Sequence, residues 1–507
     1  MDSVWHATQP SSPVAIDVLP DGVHVDTVVA GAGLTGLVTA VLLSRAGHRT
    51  VLVEARRVGA VTTGNTTGKL SLLQGLVFSD ILRHHSADVL QAYLAGNREG
   101  QAWLIRYMDD HDVPYQRRDA YTYATTDKGI SALRTEFDAC QAAGLQVNWT
   151  QQTGLPFATD ALILPDQVQI HPLWVLEALR REYAERGGML VEGVRVTDAG
   201  TRDGSPFTVS TTGGEIIADR LVLTTGAPVL DRGGYFAKLV PMRSYAATYA
   251  LPGPLPLGMY LNAEQPTRSL RTVAVDGEQW LMVGGNGHIT GRTDSPAEAV
   301  ADLDRWTTEH FPGAERVHAW SAQDYRSINR VPFVGELPRG DGRIFVATGY
   351  NKWGMTNAVA AALSLAQEIL GGTDGSPGSL SGKPWAETLR QRVTKPAGVA
   401  STAKLVGGVA AETTKGWVQA ELSSLPDEPP AEGQGVVGRG SGGLPEAVST
   451  VGGVTCRVSG VCSHMGGVVR WNDAEQSWDC PLHGSRFAAD GTVLEGPAVS
   501  DLSPRTD

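Results

Sequence analysis

Hydrophobic positions along the chain change period several times. HVDTVVA (24–30) and TVLVEA (50–55) are Val-rich runs, and the segment between them is an apolar stretch that opens on glycines and stops at Gly47. The order strand, glycine turn, helix, strand predicts a βαβ unit. Further on, HPLWVLEALRREYAERGG (171–188) repeats its apolar residues at helical spacing and ends on glycine. GGMLVEGVRVTDAG and the run through DRLVLTTGA return to strand-like patterning, and SLRTVAVDGEQWLMVGG predicts a hairpin turning at Asp276-Gly277. MTNAVAAALSLAQEIL (355–370) is the longest apolar helical run. Strands and helices mixed in this way predict an α/β core carrying an extra antiparallel sheet.

After that helix the pattern changes. GGTDGSPGSLSGKP opens a weakly patterned stretch, and from about 416 short strands and Gly-rich turns predict a small all-β domain. The expected layout is a loose tail over 1–22, an α/β domain over 23–372, a linker over 373–415 and an all-β domain over 416–507.

Composition narrows the partners. A net charge of −12 and a pI near 5.5 argue against nucleic acid and anionic lipid surfaces. The start has no basic end or apolar core of a secretory signal, and the 355–370 run contains Asn, Gln and Glu and is too short for a bilayer. A cytoplasmic protein without a membrane span is expected.

Candidate chemistry lies at both ends. Gly31-x-Gly33-x-x-Gly36 fits a dinucleotide turn, although a chain with 60 glycines should show that spacing about once by chance. It recurs at Gly433/Gly435/Gly438 and Gly438/Gly440/Gly443, where no strand leads in and no amphipathic helix follows, so these copies read as loop. The first copy sits inside the βαβ unit, with Glu54 ending the second strand 18 positions after Gly36. Glycines there admit a pyrophosphate, the helix N-terminus supplies N–H donors, and Glu54 accepts from a ribose hydroxyl.

Between 56 and 75, RRVGAVTTGNTTGKLSLLQG crowds Gly and hydroxyl residues around Lys69. This loop resembles the flavin loop of the FAD-dependent D-amino-acid-oxidase and glycerol-3-phosphate-dehydrogenase superfamily. LVEGVRV, LVLTTGAPVL and the segment 331–372 are similar to its later cofactor-contacting strands and closing helix. The resemblance implies FAD held by Gly31, Gly33, Leu34, Thr35, Gly36, Glu54, Ala55, Arg56, Thr66, Thr67, Lys69, Val194, Thr225, Gly226, Gly349, Gly354, Met355 and Thr356. A helix starting near Gly354-Met355-Thr356 would aim N–H groups at the pyrimidine ring and stabilise negative charge on the reduced flavin. No Cys or His in 56–75 offers a covalent flavin link. With one credible dinucleotide motif, an organic molecule is expected to deliver electrons directly to the flavin.

Near the other end, Cys462-x-His464, fifteen residues, then Cys480-x-x-His483 uses two of the chain's four Cys. Such a set serves either tetrahedral zinc or a [2Fe–2S] cluster. The loops CSHMGG and CPLHGS lie in a β context and closely resemble the two cluster loops of Rieske proteins, a likeness continued by Trp471, Asn472, Glu475, Trp478, Asp479 and GSRFAADGTVLEGPA. It implies Cys462 and Cys480 on one iron, and His464 and His483 on the other. The extra Cys pair that joins the loops in many Rieske proteins is replaced by Gly467 and Leu482. Ser485 keeps a hydroxyl donor to a bridging sulfide, while Phe487 stands where high-potential members have a Tyr donor, which implies an intermediate potential.

As a whole the chain resembles FAD-dependent oxidoreductases with a C-terminal Rieske domain. That implies a small-molecule substrate, an amine or amino acid before an alcohol, and a one-electron acceptor that can be a protein. Arg243, Tyr245, Tyr249, Tyr260 and Arg271 on the middle sheet, with Gln323 and Asp324 similarly placed near the closing segment, are candidate pocket residues whose alternative is a solvent-facing strand position; no catalytic base is assigned. Two alternatives stand beside this: an electron-transfer component for a separate oxygenase, and a redox sensor that does not turn over.

Overall fold

The structure, a computed structural model, describes every residue except 1, 10–17, 20–21, 158–159, 202–205, 276, 372–382, 393–395, 441 and 506–507. Its first layer is an eight-stranded sheet whose main path runs Phe333–Glu336, Ile344–Thr348, Gly214–Leu223, His24–Ala30, Thr50–Val53, Met189–Val191. The last five of these pair in parallel, and Phe333–Glu336 closes the edge antiparallel. Strands buried on both faces need the continuous Val/Ile/Leu runs seen here, which is why His24–Ala30 and Thr50–Val53 do not alternate. The helices Leu34–Arg45, Pro172–Glu185 and Gly354–Gly371 cover it, as their apolar spacing predicts.

A nine-stranded sheet forms the second layer, with Glu315–Ser327 at one edge and Lys69–Leu70 at the other. It is antiparallel except where Met259–Asn262 runs parallel to Tyr115–Ala124. The hairpin Arg268–Val275/Glu278–Ile289 is present; Gly277 turns at φ +84°, and Asp276 lies outside the described residues. Helices Val77–His84, Ala87–Asp110, Asp127–Ala143 and Pro296–His310 complete this part.

The C-terminal region is all β: a three-stranded sheet over Gly435–Ser459 and a four-stranded sheet over Arg470–Glu495. The late glycine copies belong here, where Gly435 and Gly438 are strand residues rather than loop. Gly435 lies against the Trp471 ring, which leaves no room for a side chain.

Two regions differ from the sequence-based layout. Within 1–22, residues Val4–Thr8 form a docked helical turn, with Val4 and Trp5 fully buried. A large indole that reaches a cavity wall outweighs the loose character of the Pro and Ser that follow. Within 373–415, the described parts are helical: Pro384–Arg390, and Pro396–Leu422, which runs past the expected boundary at 416. The many Ala and long-chain residues of that second helix carry it across Gly407-Gly408.

Candidate active site and cluster site

Between the two large sheets lies a cavity of about 800 Å³, within the range of cofactor sites. The glycine turn forms one end. Gly31 adopts φ +102°, where a Cβ would stand 2.9 Å from Thr224 O; a Cβ on Gly36 would lie 1.8 Å from Gly31 O. Gly31 and Gly33 line the cavity, whereas Gly36 lets the helix pack on the turn and does not face it. Glu54 holds this turn from below: one oxygen accepts from the Ala32 N–H at 2.7 Å, the other from the Arg56 N–H at 2.9 Å. Burial pushes its carboxyl above the usual range. A narrow glycine-lined cradle, helix N–H groups and a buried acceptor suit the pyrophosphate and ribose of a dinucleotide.

Leu34, Thr35, Glu54, Ala55, Arg56, Thr66, Thr67, Lys69, Val194, Thr225, Gly226, Gly349, Gly354 and Met355 also line the cavity. Thr356 does not. Its hydroxyl engages Asn97 and accepts from Gln74 Nε2 at 3.2 Å, because the first helical turn directs that side chain toward the helix Ala87–Asp110. The loop carrying Thr66 and Thr67 is braced through its backbone. Trp5 Nε1 donates to Thr66 O (2.6 Å), Trp320 Nε1 to Asn65 O (2.9 Å) and Arg271 to Thr67 O (2.8 Å). Lys69 is buried, donates to Tyr260 O and Ser269 Oγ at 2.6 Å each, and burial with the nearby Arg271 holds its pKa well below normal.

The middle-sheet candidates separate. Tyr245 and Asp324 line the cavity; burial raises the Asp324 carboxyl to about 6. Tyr249 bonds Asp304 and Tyr260 bonds Thr153 O, each inside an apolar cluster away from the cavity. Arg271 is the brace already described. Arg243 and Gln323 point through the sheet to the C-terminal domain, so they are neither pocket nor solvent-facing residues. Not singled out from the sequence are Ser244, Arg326, Lys352 and Tyr350, which complete the polar wall; Lys352 Nζ donates to Ser244 Oγ at 2.5 Å. Ser244 and Arg326 sit on strands, and Tyr350 and Lys352 in the turn before the helix Gly354–Gly371, positions that alone carry no signal of which side meets a cavity.

The late Cys/His set is built from two loops of matching geometry. Cys462 N donates to Gly467 O and Cys480 N to Ser485 O, both at 2.8 Å, while Gly466 N and Gly484 N return to the two cysteine carbonyls. Gly466 and Gly484 take φ +72° and +80°, which lets each loop turn back on itself. Cys462 and Cys480 are buried together, and contact with Cys480 is the main cause that lowers the Cys462 thiol. Backbone N–H groups of His464 and Met465 face one sulfur, those of Leu482 and His483 the other. The His464 and His483 rings meet edge to face at 5.1 Å, and His483 Nε2 is buried without a hydrogen-bond partner. Among the described residues no three His, Cys, Asp or Glu close on a single ion. A cluster that divides its ligands two and two between irons does not require that, and sulfur–sulfur beside imidazole–imidazole fits it.

The domain that carries these loops reaches the cofactor cavity, while His464 and His483 themselves line a separate small cleft. Leu494, Glu495 and Gly496 of the C-terminal domain line the cavity. Across the interface Arg243, 1% exposed, donates Nε to Glu475 Oε2 at 2.6 Å and approaches Glu495 at 3.7 Å; Arg486 pairs with Glu475, Asp479 and Glu495. Ser321 Oγ reaches Glu475 (2.7 Å), Arg292 Nε reaches Pro481 O (2.8 Å), and Asp231 stands 3.4 Å from His464 Nε2.

Comparison with known proteins agrees with both ends. The family described as FAD dependent oxidoreductase matches residues 26–368, and the Rieske [2Fe-2S] domain matches 433–504. The chain is 30% identical over 493 residues to the Bacillus subtilis protein YhfW, named for a Rieske 2Fe-2S iron-sulfur centre, covering 96% of this chain and 94% of that one. It is 25% identical over 394 residues to a 4-methylaminobutanoate oxidase (formaldehyde-forming) of Paenarthrobacter nicotinovorans, over 71% of this chain and 45% of the relative. Glycine oxidase from Geobacillus kaustophilus shares the fold, with TM-score 0.58 and 20% identity, over 68% of this chain and 95% of that one. Among the described residues no helix is long and apolar enough to cross a membrane.

Proposed function

Because the chain belongs to the FAD-dependent oxidoreductase family and carries a C-terminal Rieske [2Fe-2S] domain, we infer that it oxidises a small amine or amino acid at a C–N bond and passes the electrons singly to an acceptor outside the chain. Bound FAD supplies the two-electron acceptor, and the cluster, held by Cys462, Cys480, His464 and His483, supplies the one-electron carrier. The observation that carries this is a shared wall: the domain that holds the cluster ligands also lines the cofactor cavity, through Leu494–Gly496.

The chain's own residues have separable tasks. Gly31, Gly33 and Glu54 shape the cofactor cradle, and the braces from Trp5, Trp320 and Arg271 fix the loop of Thr66 and Thr67 against it. Gly354 and Met355 bring a helix N-terminus to the cavity, where N–H groups favour negative charge on a reduced ring. The polar wall offers a carboxyl, Asp324, and two cations, Lys352 and Arg326, beside the Tyr245 ring. Groups of both signs suit a substrate bearing both an amine and a carboxylate, and the relative named as a 4-methylaminobutanoate oxidase points the same way. Free thiols at Cys140 and Cys456 accord with a cytoplasmic location.

Anaerobic addition of amines, amino acids and hydroxy acids, followed by visible absorption and EPR, tests this. The expected result is one compound that bleaches the flavin and then brings up a Rieske signal. If dithionite alone reduces both centres, the protein is an electron-transfer component fed by a partner and the substrate assignment falls.

A further inference from the structure

Tyr325 belongs to the edge strand Glu315–Ser327 of the nine-stranded sheet and is 6% exposed. One side of it lines the cofactor cavity with Gly226 and Gly496. Another side lines a small cleft with Phe236, Pro497, His464 and His483. Among the described residues Tyr325 alone lines both spaces.

Its position is fixed from both domains. The ring packs under Gly226, where an added Cβ would meet Cε2 at 3.2 Å. The hydroxyl donates to Gly496 O at 3.0 Å and accepts from Gln323 Nε2 at 2.9 Å. Gln323 Nε2 also donates to Gly484 O, beside the ligand His483, at 2.8 Å. Thr290 Oγ1 donates to Gln323 Oε1 at 2.7 Å, which orients the amide, and Thr62 of the flavin loop donates to the Gln323 carbonyl at 2.5 Å. Five hydrogen bonds thus hold one aromatic ring where two sites meet. Neither the substrate wall nor the cluster ligand set requires that ring.

We propose that the Tyr325 ring, positioned by Gln323, is the bridge through which electrons cross from the flavin site to the cluster. This rests on the proposed direction of electron flow. A continuous aromatic ring replaces what would be a gap between the cavity and the two cluster imidazoles, and electronic coupling across a gap falls steeply with its width. Each substrate oxidation releases two electrons while the cluster accepts one, going from two ferric ions to one ferric and one ferrous. The second electron crosses after a one-electron acceptor outside the chain has emptied the cluster.

The test uses the full-length holoprotein. A light flash in the presence of a photosensitiser and a sacrificial amine reduces the flavin, and cluster reduction is followed by its visible bleaching. In wild type the flavin bleaches first and the cluster follows; if it does not, the proposed electron flow fails, whatever Tyr325 does. Given that flow, Tyr325→Phe is expected to keep the transfer rate close to wild type, and Tyr325→Leu to lower it by an order of magnitude or more. Flavin content, both midpoint potentials and the cluster EPR spectrum should stay unchanged in both. Tyr325→Met, unbranched and closer to the ring in reach, serves if the Leu variant loads less cofactor. A wild-type rate in a cofactor-replete Leu or Met variant, or a Phe variant as slow as Leu, overturns the bridge.

Discussion

Replacing Arg243 by Met removes the charge that crosses between the two domains while keeping most of the side chain's apolar length. Arg243 is 1% exposed and Glu475 has 15% of its side chain exposed, so their pairing takes place largely out of water. Burial pushes the Glu475 carboxyl up, yet Arg243, then Arg486 and Ser321, pull it down from 4.5 to about 2. That difference corresponds to about 3 kcal/mol of favourable interaction with the charged form. Removing one partner of a buried pair typically costs about 3–5 kcal/mol, and Arg486 stays 3.2 Å from Glu475 to absorb part of it. The expected loss is therefore about 3 kcal/mol, read from urea unfolding monitored through the cluster's visible absorption. Pairing Arg243→Met with Glu475→Met should recover most of it, since two apolar residues leave no stranded charge. A loss below about 1 kcal/mol, the level of an exposed pair, would refute the assignment of Arg243 as a buried interdomain anchor.

Gly36→Ala should abolish flavin binding, because its Cβ would meet Gly31 O at 1.8 Å; the purified variant is expected to lack flavin absorption while keeping the cluster's EPR signal. Ser485→Ala should lower the cluster midpoint and Phe487→Tyr raise it, since hydrogen bonds to sulfur favour the reduced cluster; a redox titration in which neither moves would contradict those roles. His171 lies between Trp5 and Trp174, where burial first and Arg271 second lower its pKa from 6.5 to about 3. The folded state therefore holds it neutral, stability is complete above about 6.5, and it declines as pH falls toward 3. At about pH 5 the cost is about 2 kcal/mol, and His171→Phe should flatten this part of the pH–stability curve measured by thermal unfolding.

What was legible in the sequence follows from how local each requirement is. Gly31 and Gly36 are readable because only glycine fits that turn, and the Cys/His loops because metal ligation admits few residue types. Arg243 and Gln323 were not, since an arginine or glutamine on a strand looks the same whether it meets substrate, water or another domain. Trp5 shows the same limit: its anchor on Thr66 O is 61 residues away and leaves no trace in its neighbours. Thr356 is hidden for a finer reason. The helix start is legible, but which side of its first turn faces the cavity depends on the helix Ala87–Asp110, a partner without any motif of its own. The helix Pro396–Leu422 has a hydrophobic pattern too even to announce itself beside a Gly pair.

The ionic contact between Arg243 and Glu475 has a consequence for kinetics. Two redox proteins that meet by diffusion are joined by exposed charges, so their exchange slows on dilution and in salt. Here the donor and acceptor sites are parts of one chain, and the pair between them is shielded from mobile ions. On the proposed electron flow, exchange between the two sites is expected to be a first-order event, indifferent to protein concentration and nearly so to ionic strength, with any salt dependence of turnover belonging to the encounter with the external acceptor.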